Sequence, residues 1–317
     1  MNKINNNLVS MGYGTVVVTS FLLGLFPSVS KPIISSVNPL FFTAICALAP
    51  FIIFTPLSIT SSRRGATKKE PPTDSKKDRS KIFRIVILSS IVGGVIGPIV
   101  YFFGLQSTTA SDASLLANAE MVFTIVIASF AFHEKMNRVG VLAVILVSIG
   151  IVVVTTNLQL SSSMLDFAAP GHLLILAAGL CWGIDNNVIT YASDRIDVLK
   201  FIQYRSSIAG PLLLILAYLA GVLPPNGSTL PEIFLVALVV FGGALYFNFL
   251  ALKWLGAIRS SLIFPISSLF GLAAAFLILH ETISAYQILS VGIIFLGIYL
   301  MTRTESVKRK EFSYDVP

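Results

Sequence analysis

Two stretches of this chain lie on one another without a gap: "FTIVIASFAFHEKMNRVGVLAVILVSIGIVVVTT" (Phe123–Thr156) and "FGLAAAFLILHETISAYQILSVGIIFLGIYLMTR" (Phe270–Arg303). Their leading Phe, the pairs His133-Glu134 and His280-Glu281, Gly150 with Gly297, and Ile151 with Ile298 all coincide. Upstream, "LGLFPSVSKPIISSVNPLFFTAI" from Leu23 lies over "WGIDNNVITYASDRIDVLKFIQY" from Trp182, with Gly24 on Gly183 and Phe42 on Phe201. Self-similarity on this scale marks a chain built from two copies of one unit.

Composition sets the solvent in which those units fold. Hydrophobic residues make up 55% of the 317 and charged residues 12%, and mean hydropathy is +0.85, whereas a soluble domain carries about 25% charged residues. A soluble protein of this size could not hide so much apolar surface. The class is a polytopic membrane protein. Cys46 and Cys181 fall within apolar runs and read as packing residues, which gives neither a disulfide framework nor a metal site.

A spanning helix needs about 20 apolar residues to satisfy its backbone across a hydrocarbon layer of roughly 30 Å. Ten segments meet that description: Leu8–Lys31, Asn38–Ile59, Ile82–Leu105, Ala110–Phe132, Arg138–Thr156, Gly171–Ala192, Leu199–Val222, Pro231–Trp254, Ile258–Leu279 and Ser284–Met301. The apolar part of the first is too long for a cleavable signal. Lys and Arg stay on the cytoplasmic side of membrane loops. The basic loop 60–81, which contains "SSRRGATKKEPPTDSKKDRSK" (Ser61–Lys81), reads as a disordered linker. It falls on one side of the count with Lys135, Arg138, Arg195, Lys200, Lys253, Arg259 and the tail 304–317, and Lys31 is the exception on the other side. Both termini are therefore predicted to be cytoplasmic. Topology then accounts for the net charge of +7, which signals no nucleic-acid partner. Asn226-Gly227-Ser228, in an outward loop, is a glycosylation sequon of a kind common by chance.

Residues 8–156 and 171–303 thus form two five-helix units. Because five is odd, the second enters the membrane from the opposite side, and the repeats are inverted about a pseudo-two-fold axis in the membrane plane. The predicted fold is an all-α integral membrane protein of ten transmembrane helices in two inverted repeats, a symmetry typical of alternating-access carriers.

Ten helices in two such units, each ending in a helix pair joined at a Glu, resemble the EamA-type branch of the drug/metabolite transporter superfamily. "LLANAEMVFTIVIASFAFHE", "CWGIDNN" and "WLGAIRSSLIF" carry the likeness over nearly the whole chain. The resemblance implies transport of amino acids, metabolites or drugs, and lays helix one along a central cavity with a Lys commonly at the place of Lys31. One departure is Glu120, which stands in "NAEMVF" where many relatives have Pro, so the usual helix kink is expected to be missing here.

Ionisable groups inside a membrane are costly and face the bundle interior or a watery cavity. "AAGLCWGIDNNVITYA" (Ala177–Ala192) places Asp185 between apolar flanks, and at about 100° per residue Trp182, Asp185, Asn186 and Ile189 share one helix face. That face suits a cavity wall or an interhelical clamp. Arg205 falls at a similar depth, about 10 Å in at 1.5 Å per residue, where it either pairs with Asp185 or snorkels to the interface. Glu120, on a face shared with Asp112, Leu116 and Thr124 and about 160° from Asn118, is a candidate for proton exchange or a packing carboxyl. Tyr13, Ser20, Gly24, Pro27, Ser28 and Lys31 make a stripe on helix one, with Lys31 at the outer mouth as a cavity cation or an interfacial anchor.

The substrate-cavity set is therefore Lys31, Ser28, Glu120, Trp182, Asp185, Asn186 and Arg205. Neither His-Glu pair continues as H-E-x-x-H, and the two are predicted on opposite membrane faces, so no metal site is expected. No phosphate-binding G-x-x-x-x-G-K-[ST] loop occurs, which excludes ATP-driven transport by this chain alone. The reading is a secondary transporter of the plasma membrane, by family analogy an exporter of small organic metabolites such as amino acids. No cofactor is expected, protons are a candidate coupling ion, and a homodimer is left open. The alternatives are an integral membrane enzyme using Asp185, Glu120 or a histidine as acid or base, and a non-transporting receptor or scaffold.

Overall fold

A computed structural model of the chain describes the backbone of residues 3–63, 76–131, 138–158, 170–193, 195–225 and 227–314, and the side chains of these within 11–56 and 80–300. The centre of the basic loop, His133-Glu134, Lys135 and Asn226 lie outside the described residues.

Every regular element among the described residues is helical: α1 (Lys3–Ser36), α2 (Pro39–Arg63), α3 (Lys76–Ile91), α4 (Gly97–Gln106), α5 (Ala110–Leu116), α6 (Ala119–Ala131), α7 (Arg138–Thr156), α8 (Pro170–Ala192), α9 (Val198–Leu219), α10 (Leu230–Leu235), α11 (Gly243–Ile263), α12 (Ile266–Leu279) and α13 (Ala285–Tyr314). Two π-helical stretches, Val92–Ile96 and Val236–Gly242, join α3 to α4 and α10 to α11. Helices α2 and α3 reach into the predicted linker from both ends, and α13 continues into the predicted tail.

Among the described residues, eight helical stretches are long and apolar enough to cross a membrane. The difference from ten arises in the second half. Leu230–Ile263 runs on as one apolar stretch kinked at Gly256, and Ile266–Leu279 and Ala285–Leu300 are shorter apolar helices. The expected boundary between segments eight and nine falls at Gly256, whose non-helical φ of 80° and ψ of 173° kink the chain between two helical pieces. Only glycine adopts that backbone without strain. The chain is an all-helical integral membrane protein, and large apolar side chains on its outside, such as Leu142, Ile145, Ile149 and Val152 along α7, suit a lipid surround.

Helix α1 packs between α11 and α12, α8 between α4 and α6, α2 along α9, and α7 along α13. Gly24 on α1 sits so close to α12 that a Cβ would stand 2.4 Å from Ser267 O and 2.6 Å from Phe270 Cβ. Gly183 on α8 is held likewise, with a Cβ falling 2.7 Å from Phe123 Cβ and 3.0 Å from Thr124 N. Small residues at helix crossings let backbones approach and supply van der Waals contact where lipid gives no hydrophobic drive.

The helix carrying Glu120 is broken despite the absence of Pro. It ends as α5 at Leu116 and restarts as α6 at Ala119. Asn118 Nδ2 donates to Leu115 O at 2.9 Å, and the N–H groups of Asn118 and Glu120 bond three residues back instead of four. A side-chain amide thus competes with the ladder as Pro would interrupt it. The second copy breaks at Phe264-Pro265, where Pro supplies the cause directly.

Candidate functional site: a central polar cavity

A cavity of about 90 Å³ lies within the bundle, reached by α1, α4, α5, α6, α8, α9, α11, α12 and both π-helical stretches. At about 10–15 Å³ per water it holds several waters or a small polar group. Its apolar wall includes Phe26, Tyr101, Trp182, Phe241 and Phe264, and its polar groups include Glu120, Asp185, Asn186, Arg205, Asn248 and Ser267.

Trp182, Asp185, Asn186 and Ile189, the helical face singled out from sequence, all line this cavity. Helical spacing alone sets them side by side. Asp185 is 3% exposed. It meets Arg205 Nη2 at 2.8 Å and accepts from Ser89 Oγ at 2.5 Å. Of the two readings of Arg205, the structure has the pairing and not the snorkel. The pair fits because residue 93 is glycine, since a Cβ there would lie 1.9 Å from Asp185 Oδ2. Trp182 Nε1 donates to Gly93 O at 3.3 Å, so the π-helical stretch seats both side chains. The Arg205 guanidinium also lies over the Phe249 ring, 5.4 Å from its centre.

Glu120 faces the same space from α6. Asn186 Nδ2 donates to Glu120 Oε1 at 2.7 Å and approaches Thr124 Oγ1 at 3.3 Å. Asn186 Oδ1 accepts from Asn248 Nδ2 at 3.4 Å. Asn248, Phe241 and Tyr101 are cavity residues that the sequence reading did not single out. Asn248 left a signal, a lone amide in the apolar run "ALYFNFLAL". Asp112 and Leu116 do not join Glu120 at the cavity: with the helix broken at Ala117-Asn118, Ser114 and Ala117 line it instead.

Two expected cavity residues stand elsewhere. Ser28 is fully buried and absent from the cavity wall, and its Oγ has no hydrogen-bond partner among the described residues. Lys31 is turned toward the end of α4, where its Nζ donates to Thr108 O and, at 3.4 Å, to Leu105 O. The negative end of a helix holds the ammonium group there.

Lys31 belongs to a second polar cluster at that end of the bundle. Glu281 accepts from the N–H groups of Ala110 and Ser111, each at 2.9 Å, and from Ser111 Oγ at 2.6 Å, so it caps α5. Gln287 Nε2 donates to Asp112 Oδ1 at 2.7 Å, Tyr286 OH approaches both Asp112 oxygens at 3.4 Å, and His172 Nε2 stands 3.6 Å from Asp112 Oδ2. No three His, Cys, Asp or Glu side chains among the described residues could hold a metal ion together.

The sequence profile of the EamA-like transporter family matches residues 10–156 and 169–303. An uncharacterized transporter of Methanothermobacter thermautotrophicus is 27% identical over 296 residues, covering 92% of this chain and 85% of its own. A probable amino-acid metabolite efflux pump of Salmonella typhimurium is 27% identical over 207 residues, 60% of this chain and 67% of its own. A crystal structure superposes with a TM-score of 0.60 at 17% identity, over 90% of this chain and 98% of that one, which shows a shared fold.

Proposed function

The chain belongs to the EamA-like transporter family, and from that premise we propose that it is a secondary transporter working by alternating access. In this reading residues 8–156 and 171–303 are inverted five-helix units, giving ten spans with both termini in the cytoplasm. The paired glycines support it: Gly24 and Gly183 coincide in the repeat, and so do the residues they touch, Phe270 with Phe123 and Gly271 with Thr124. So do the matched breaks at 117–118 and 264–265.

The observation that carries the transport reading is the set of buried ionisable groups, Glu120, Asp185 and Arg205, turned toward one cavity between the two units. Intramembrane ionisable groups on a cavity mark a solute or proton path. The cluster of Lys31, Asp112, His172 and Glu281 then forms the closed outer gate, because it ties the first unit to the second at the predicted extracellular end. The cargo is a small organic metabolite, with the amino-acid metabolite pump of Salmonella as a pointer, and the direction is export across the plasma membrane. Protons are the proposed coupling ion, exchanged at Glu120.

Flux into sealed proteoliposomes tests this against an intramembrane enzyme or a silent receptor, because a carrier moves solute unmodified. Glu120→Gln keeps size and hydrogen bonding but cannot ionise. It is expected to abolish flux driven by a pH gradient while leaving the fold intact, and wild-type gradient-driven flux in the mutant would overturn the proton role. Tags near Gly65 and at the C-terminus are expected to label from the cytoplasm only, and one near Gly227 from outside. Finding the first and last on one side would overturn the inverted arrangement.

A further inference from the structure

The hydrogen bonds around Glu120 run in one direction. A carboxylate can only accept, so Glu120 forces the Asn186 amide to present its nitrogen, at 2.7 Å. That leaves Asn186 Oδ1 to accept from Asn248 Nδ2. Asn248, itself a cavity residue, is left with a buried Oδ1 that has no donor among the described residues. Amide orientation is usually a matter of network inference. Here the carboxylate at the head of the chain fixes it. The result is two acceptors on residues that line the cavity and are joined through Asn186, a carboxylate and an amide oxygen.

The opposite charge is already spent. Arg205 is the sole cation among the described residues lining the cavity, and it is held at 2.8 Å by Asp185. Lys31 lies outside the cavity wall, on the carbonyls of Leu105 and Thr108. With all three ionised, Glu120, Asp185 and Arg205 leave one negative charge facing the space. The aromatic side chains beside it, Trp182, Tyr101 and Phe241 among them, offer an apolar and cation-tolerant wall.

Resting on the carrier reading above, we infer that the cavity selects small primary amines with an apolar body and no free carboxylate, binding the ammonium group between the Glu120 carboxylate and Asn248 Oδ1. A zwitterion would bring a carboxylate into a space whose single cation is already paired. Desolvating that group without a partner opposes binding. The site thus ranks an amine above the matching amino acid, and the amino acid above the matching acid.

The test uses three solutes with one hydrocarbon body: 3-methylbutylamine, leucine and 4-methylpentanoate. Binding to the detergent-purified full chain is read by calorimetry, and flux of each is read in proteoliposomes. The amine is expected to bind at least tenfold more tightly than leucine, with the acid weakest. Both Glu120→Gln and Asn248→Leu are expected to weaken the amine by tenfold or more, and to weaken leucine as well, while leaving any binding of the acid without such a loss. Two variants on different helices keep the result readable if one fails to fold. Equal or tighter binding of leucine or the acid, or no amine binding at all, would overturn the amine assignment. Amine binding in the expected order without flux of any solute would instead overturn the carrier reading and leave the amine site standing.

Discussion

The cavity and the end cluster are both made of buried polar groups, yet they are built in different ways. Around the cavity, four residues come from one face of α8, and a buried ion pair supplies the charge. At the end of the bundle, Lys31, Asp112, His172, Glu281 and Gln287 come from several helices and the turns beside them; Lys31 and Glu281 rest on backbone groups, and Asp112 meets the side chains of Gln287 and His172. Glu281 satisfies two N–H groups that a helix start always leaves open. Asp185 satisfies an arginine that would otherwise be an uncompensated charge. The first contact can be replaced by water when it opens, and the second cannot be broken cheaply. A gate belongs where partners can be exchanged, and a fixed wall where they cannot.

That contrast is open to attack, starting with its largest expected effect. Arg205→Leu should strand the Asp185 carboxylate and cost about 3–5 kcal/mol, while Arg205→Leu with Asp185→Leu should recover much of the loss. Unfolding in mixed micelles measures both, and additive losses would mean that the two are not one unit. Gly93→Ala should cost about 1–3 kcal/mol by pushing Asp185 off its partners, since the added Cβ would lie 1.9 Å from Oδ2.

At the end cluster the expected losses shrink and a different readout grows. Glu281→Ala should cost about 1–2 kcal/mol, in the range of a lost helix cap, with Glu281→Gln intermediate because one oxygen can still accept. A Cys placed at Ala117 in the cavity should react faster with an impermeant maleimide from the Lys31 side in Glu281→Ala than in the parent. Unchanged labelling would overturn the proposed role of the cluster as a gate. Lys31→Met should cost least, about 0.3–1 kcal/mol, as expected for a cation at a helix C-terminus.

The same contrast governs how much was legible in the sequence. Helical periodicity within one segment finds Trp182, Asp185, Asn186 and Ile189 without knowledge of any neighbour, and a lone carboxyl at Glu120 is conspicuous in an apolar run. Depth matching brings Arg205 to Asp185. What periodicity cannot carry is a chain break, and Asn118 breaks its helix through a side-chain bond that no Pro announces. Extending the face of Glu120 back to Asp112 fails for that reason. Lys31 and Glu281 were misjudged or passed over for a related one: their partners are backbone groups of α4 and α5, which leave no mark in side-chain pattern. His172 meets Asp112 and Thr155 O only once three helices are assembled.

Where Lys31 ends up also orders events in time. Its acceptors, the carbonyls of Leu105 and Thr108, are made 74 and 77 residues after it. At about 5–20 residues per second, that is a wait of roughly 4–15 s with the ammonium held at the lipid surface. The N–H groups of Ala110 and Ser111 wait longer, since Glu281 follows them by 171 and 170 residues, or roughly 9–34 s. The newborn first half therefore meets the bilayer with this end untied, and the carboxylate near the start of the last helix is the stitch that closes it.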